Sequence, residues 1–170
     1  DLGNSARQPM VHHSDRYVMV YNGEVYNYLE IRAELEELGH KIESSGDSEV
    51  VLAAYTQWGS DCLQKFNGEW AFCIFDKKKN GIFISRDRFG IKPLYFFHDD
   101  ESLIFCSEIK GILEHSRINS SPDLKQIKSY VQNGPSEWNA NTLFEGVCRF
   151  PAAHYAFVPL DDISAFTPKK

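Results

Sequence analysis

A layered α+β fold, with helices against antiparallel strands, follows from a change of character partway along this 170-residue chain. Up to Phe66 the apolar residues recur at helical spacing behind one opening strand. Beyond Asn67-Gly68 they fall into short runs separated by turn residues, the pattern of strands. These runs, such as Trp-Ala-Phe-Cys-Ile-Phe from Trp70 to Phe75, are apolar almost throughout instead of alternating. A strand of that kind needs cover on both faces, so the strands are expected between a helix layer and a second sheet.

Tyr17 to Tyr21 reads as the opening strand, and Glu24 to Tyr26 continues extended past Asn22-Gly23, where a turn between strands is expected. Asn27 then caps a helix, with Glu30 three residues on. Ile31, Leu35 and Leu38 share one face of it and Gly39 ends it. A second helix runs from Ser48 to Trp58, with Val51, Tyr55 and Trp58 on its apolar stripe and Gly59 as its stop. A short third helix covers Cys62 to Phe66. Four strands follow, Trp70 to Asp76, Gly81 to Arg86, Leu94 to His98 and Leu103 to Ser107, and the turn-rich links between them predict an antiparallel meander. Ser121-Pro122-Asp123 opens a helix to about Val131, Gln132 to Asn141 is a polar loop, and Tyr155 to Val158 is a last strand. The domain is expected over 1–160, with 161–170 as the start of a linker.

Composition narrows the function. A content of 42% hydrophobic and 14% aromatic residues supports a substantial core in one domain. The net charge of −6, without a basic stripe, argues against nucleic acid as a partner. No apolar run approaches the roughly 20 residues that a membrane span requires. Cys62, Cys73, Cys106 and Cys148 are widely spaced, without a Cys-x-x-Cys pair or a histidine at metal spacing, so no metal site is expected. His12 and His13, adjacent on a strand, point opposite ways and do not share an ion. Cys73 and Cys106 sit in apolar runs as reduced core residues, which favours a cytoplasmic setting.

Five motifs stand in register: Tyr21-Asn22-Gly23-Glu24-Val25-Tyr26-Asn27, Gly46-Asp47-Ser48-Glu49, Phe66-Asn67-Gly68-Glu69-Trp70-Ala71-Phe72, Arg86-Asp87-Arg88-Phe89-Gly90-Ile91-Lys92-Pro93-Leu94-Tyr95 and Ser107-Glu108-Ile109-Lys110. Together they resemble the class II glutamine amidotransferase domain of asparagine synthetases, over nearly the whole chain. Thr142-Leu143-Phe144-Glu145-Gly146-Val147, with Phe150-Pro151 and His154-Tyr155, resembles the end of that domain, but Ala152-Ala153 stands where proline-glycine is more usual. The resemblance implies a four-layer αββα sandwich of the N-terminal nucleophile hydrolase type and release of ammonia from L-glutamine. It further implies a parent enzyme that passes this ammonia to ATP-activated aspartate, giving asparagine. The implied partner is a C-terminal synthetase domain of the same chain, which would hold ATP and Mg. No cofactor is expected in the present domain, and a homodimeric parent is allowed.

In that family an N-terminal cysteine attacks the side-chain amide while its own α-amine, titrating near pH 8, relays the proton. The attack creates an oxyanion, and the resemblance assigns the Asn22 side-chain amide and the Gly23 backbone N–H as its donors. It assigns the substrate ammonium to Asp47, with Glu24 contributing through side chain or backbone. Asp47, at the mouth of the second helix, is also expected to be engaged by free N–H groups of the first turn. The sequence opens on Asp1-Leu2-Gly3, and the family's carboxylate-binding arginine falls upstream, Arg7 being no stand-in. The expectation is therefore a domain incomplete at its N-terminus, lacking the catalytic cysteine and inactive alone.

Each motif has a plainer reading. A lone Asn-Gly is usually a hairpin turn and a lone Asp before a helix usually a cap. The stretch from Arg86 to Gly90 is expected to be a structural charged turn with Gly90 at positive φ. The shared register of all five motifs favours ligand roles for Asn22, Gly23, Glu24 and Asp47. Two alternatives stay open: the glutaminase domain of another class II amidotransferase, from purine or amino-sugar synthesis, and a noncatalytic interaction domain of the same fold.

Overall fold

The structure is a computed structural model that describes residues 7–134 and 139–170. Strand β1 spans Met10–Val11, and β2, Tyr17–Val25, pairs over its full length with β3, Gly68–Asp76, in antiparallel register from Tyr17 opposite Asp76 to Val25 opposite Gly68. Asn22-Gly23 thus lies inside a strand and is not a turn. The glycine is required by closeness, since a Cβ at Gly23 would meet the Glu69 carbonyl oxygen and, at 2.8 Å, the Trp70 Cα. Gly68 stands under the same constraint, against the Glu24 carbonyl and the Val25 Cα.

The sheet continues through β4, Gly81–Arg86, to β8, Tyr155–Pro159, in the order β1-β2-β3-β4-β8. The expected meander breaks after β4. β5, Tyr95–His98, and β6, Leu103–Cys106, join β7, Val147–Arg149, in a second sheet ordered β6-β5-β7. The loop from Asp87 to Leu94 carries the chain across from one layer to the other.

Helices α1, Tyr28–Glu37, and α2, Asp47–Trp58, cover the outer face of the first sheet. Met19, Tyr21 and Val25 of β2 and Trp70, Phe72 and Ile74 of β3 pack there with Ile31, Leu35, Val51 and Tyr55. The alternate residues Ala71, Cys73 and Ile84 meet Phe96, Phe105, Phe150 and Phe166 between the sheets. Tyr95, Phe97 and Ile104 face outward again, under the short helix α4, Ile109–Leu113. The layers run α, β, β, α, and every strand of the β3–β6 stretch is apolar on both sides because both sides are covered.

Three local expectations change. Asn27 makes no cap bond. Its side chain instead donates to the Lys65 carbonyl and accepts from the Asn67 N–H, both at 2.9 Å, tying the start of α1 to the link between α3, Cys62–Lys65, and β3. Leu38 is 53% exposed, beyond the helix end. Residues 161–170, expected to begin a linker, return to the sandwich, with Phe166 buried against Phe96 and Phe150 and Lys169 bridged to Tyr155. Helix α5, Leu124–Asn133, starts as its sequence predicts, with Asp123 accepting the Gln126 N–H at 3.0 Å. It takes in Gln132 and Asn133 from the expected polar loop, of which 135–138 lie outside the described residues.

Candidate functional site

The outer edge of β2 is where two of the predicted residues, Gly23 and Asp47, lie. The Tyr26 N–H donates to Asn67 at 2.7 Å, carrying the β2–β3 pairing one step past Val25. In an antiparallel ladder this sets the peptide groups of the even-numbered residues toward β3 and those of the odd-numbered residues outward. Two outward positions are held by side chains. The Gln8 carboxamide clasps Tyr21, donating to its carbonyl and accepting its N–H, both at 2.7 Å. The Val25 N–H donates to Asp47 Oδ2 at 2.9 Å. Gly23 lies between them, its N–H directed by the same alternation to an edge that no strand of the described residues occupies at this point.

Asp47 is the first residue of α2, behind Gly46 at the cap. Its Oδ2 accepts the Tyr21 hydroxyl at 2.5 Å as well as the Val25 N–H. The expected engagement by first-turn N–H groups is replaced by these two donors from β2. Glu49, two residues on, takes the loop instead, accepting the N–H groups of Glu43 and Ser44. Asp47 Oδ1 accepts no hydrogen bond among the described residues. The carboxylate is therefore gripped by the residues flanking Asn22-Gly23-Glu24 on both sides, with one oxygen open. Burial, reinforced by the Asp47 bond, pushes the Tyr21 phenol far above its ordinary 10.0, so it remains a donor.

Asn22 and Glu24 present their side chains on the opposite face of β2. Asn22 is exposed, makes no side-chain hydrogen bond among the described residues, and lines a cavity of about 220 Å³ with Gln8, Cys73, Phe105 and Cys106. Gly23, Glu24 and Asp47 are not in that lining. Glu24 stands across from Glu69, whose carboxylate bonds Lys92 Nζ at 2.9 Å. The structure thus gathers Gly23 and Asp47 on one edge and places Asn22 and Glu24 on the face beside it. Gln8 and the Tyr21 hydroxyl escaped the sequence reading. Strand alternation, which turns Tyr21 toward α2, was the available signal for the second.

Behind the edge lies a braced loop. Asp87 is buried and accepts the N–H groups of Phe89, Ile91 and Lys92, each at 3.0 Å. The Arg86 guanidinium donates to the carbonyls of Gly90, Lys92 and Phe150. Gly90 has the expected positive φ, +66°. All four cysteines are free thiols, and burial pushes those of Cys62 and Cys73 up to about 12. Among the described residues no group of three or more His, Cys, Asp or Glu side chains could hold a metal, and no helix is long and apolar enough to cross a membrane.

The glutamine amidotransferase domain family matches residues 1–167. Asparagine synthetase (glutamine-hydrolyzing) 3 of Bacillus subtilis is 39% identical over 150 residues, covering 87% of this chain and 24% of that protein. Putative asparagine synthetase (glutamine-hydrolyzing) 2 of Methanocaldococcus jannaschii is 43% identical over 140 residues, covering 74% of this chain and 27% of that protein. The chain thus spans about a quarter of the length of these curated relatives. Among solved structures, the glutamine phosphoribosylpyrophosphate amidotransferase of B. subtilis, complexed with ADP and GMP, superposes with a TM-score of 0.63 at 14% identity, covering 99% of this chain and 32% of that one. Motif register, layer order and family match agree: the chain belongs to the glutamine amidotransferase domain family.

Proposed function

We propose that this domain releases ammonia from L-glutamine within a longer asparagine synthetase-type enzyme. The observation that carries the reading is the Asp47 carboxylate, fixed between Tyr21 and Val25 with one oxygen open beside the outward Gly23 N–H. An α-amino acid amide brings an ammonium that needs an anion and a carbonyl that becomes an oxyanion when attacked. Asp47 supplies the anion, with Glu24 adding negative charge nearby. Gly23 N–H, which the strand already holds in place, and the Asn22 amide, which makes no side-chain hydrogen bond among the described residues, supply the donors.

The nucleophile is assigned outside residues 1–170. A thiol is reactive as thiolate, and burial disfavours that form at Cys62, Cys73 and Cys148. An internal cysteine also has no α-amine to relay the proton. A polypeptide of residues 1–170 is accordingly expected to release no ammonia from glutamine above a no-protein control. The ATP and Mg chemistry, and the aspartate acceptor, belong to the rest of the parent.

The test is Asn22→Ala in the full-length protein. Loss of one oxyanion donor should lower glutamine-dependent turnover by about 10²- to 10³-fold. Turnover with ammonia supplied directly should be unchanged, since it builds no oxyanion in this domain. Equal losses in both assays would overturn the assignment.

A further inference from the structure

The geometry points to Tyr21 as a positioning residue for recognition of the substrate's α-ammonium, acting through Asp47. The inference rests on the glutaminase reading and adds to it a residue that touches no substrate itself. Two donors, the Tyr21 hydroxyl at 2.5 Å and the Val25 N–H at 2.9 Å, converge on the same oxygen of Asp47. A carboxylate oxygen has two lone-pair sites, so Oδ2 is saturated and the plane of the carboxylate is fixed. Oδ1 is left as the open acceptor, beside the edge where Gly23 offers its N–H.

Tyr21 can impose this orientation because it is anchored at both ends. Its main chain is clasped by the Gln8 carboxamide, and its ring lies in the core formed by β2, β3, α1 and α2. The phenol is thus a rigid strut from the strand to the first residue of α2. Without the hydroxyl, Asp47 keeps only the Val25 N–H, and its side chain is free to rotate about the last torsion. A charge that wanders loses its directional bond to an ammonium but none of the oxyanion donors, so binding should suffer more than the chemical step.

The experiment compares L-glutamine with 4-carbamoylbutanoate, which keeps the amide and carboxylate and lacks the α-amine, in the full-length protein. The quantity read is the ratio of the two kcat/KM values. In the wild type it should favour glutamine strongly, and Asp47→Asn should nearly abolish the preference. Tyr21→Phe, which preserves the ring, should reduce the preference about tenfold, chiefly through KM for glutamine. Its kcat at saturating glutamine should stay within about threefold of wild type. A thermal midpoint near that of the wild type separates positioning from a folding defect. If Tyr21→Phe folds and keeps the full preference while Asp47→Asn loses it, the strut is refuted and the glutamine site survives. If Asp47→Asn also keeps the preference, the site assignment falls with it. Should Tyr21→Phe fail to fold, 3,5-difluorotyrosine at position 21, a stronger donor, should leave the preference equal to or above wild type, and a loss would refute the strut.

Discussion

Ala153 holds a backbone shape that alanine rarely takes, with φ at +58°. It does so because its N–H must reach the Asp87 carbonyl, at 2.8 Å, where the chain turns under the braced loop. Glycine takes this conformation at no steric cost, and here it is kept without the glycine. Left-handed backbone costs an L-residue about 1–2 kcal/mol, and glycine returns about half of that as extra freedom in the unfolded chain. Ala153→Gly should therefore stabilise the domain by about 0.5–1 kcal/mol, read from the urea midpoint; an unchanged or lower midpoint would show that the turn is unstrained. The same scale shows what a sequence motif can and cannot carry. Asn22-Gly23-Glu24 and Asp47 could be proposed from the sequence because each sits in a short motif. Gln8 and the Tyr21 hydroxyl could not, because their partners stand 13 and 26 residues away and nothing local marks the pairing. Asn-Gly was misleading as a turn signal, since this glycine answers to the neighbouring backbone and not to φ.

The strands of the second half were legible one by one, yet their assembly was not. Apolar runs fix that β3 to β6 are strands, but nothing in a run says to which sheet it belongs. That choice is made by the loop between β4 and β5, which the Asp87 carboxylate and the Arg86 guanidinium brace from within. The Asp87 side chain accepts three backbone N–H groups of this loop. Asp87→Ala would take the shared acceptor from these donors and leave a void where the buried carboxylate stood, and should cost roughly 1–3 kcal/mol, seen as a lowered urea midpoint. Lys92 should then lose its hold on Glu69, because its own N–H is one of the three released. The β2–β3 pair offers a companion test, read by stability and not by activity. At Gly68 an added Cβ would meet backbone on β2, so Gly68→Ala should destabilise by about 1–3 kcal/mol. A neutral result would mean that the two strands can separate locally. Helix α4 and strands β1 and β7 went unread because they span five, two and three residues, too short for periodicity to show.

Across the whole molecule, layer order was the most legible property, since strands apolar on both faces demand two covering layers. What the pattern could not show is how the first sheet's far end is fastened, and this fastening makes stability depend on pH. At that end Arg16 donates twice to Asp76, at 2.8 and 2.7 Å, and this bond, against the effect of burial, holds the Asp76 carboxyl below its ordinary 3.8. Glu49 is also held low: burial alone would raise it, but the N–H groups of Ser44 and Glu43 and the His13 ring outweigh burial. His12 lies below its ordinary 6.5 through burial first and then through His13 and His40, with Glu49 opposing. In all three the folded state binds protons less readily than the unfolded chain, so acid favours unfolding. Each contribution is complete above the unfolded value and is lost as pH falls through the folded one. Stability should thus be level between about pH 7 and about pH 8, fall modestly below 6.5 as His12 is forced to charge, and fall more steeply below 4.5 and 3.8 as Glu49 and then Asp76 are protonated. Urea midpoints measured from about pH 8 to about pH 3 test this profile. His12→Asn should remove the first decline and leave the second. Asp76→Asn should be less stable than wild type at neutral pH, and the gap should close as the pH drops below 3.8, because the wild type then loses the charge that the variant never had. A gap that stays constant to the acid limit would mean that Asp76 acts through its shape and not through its charge.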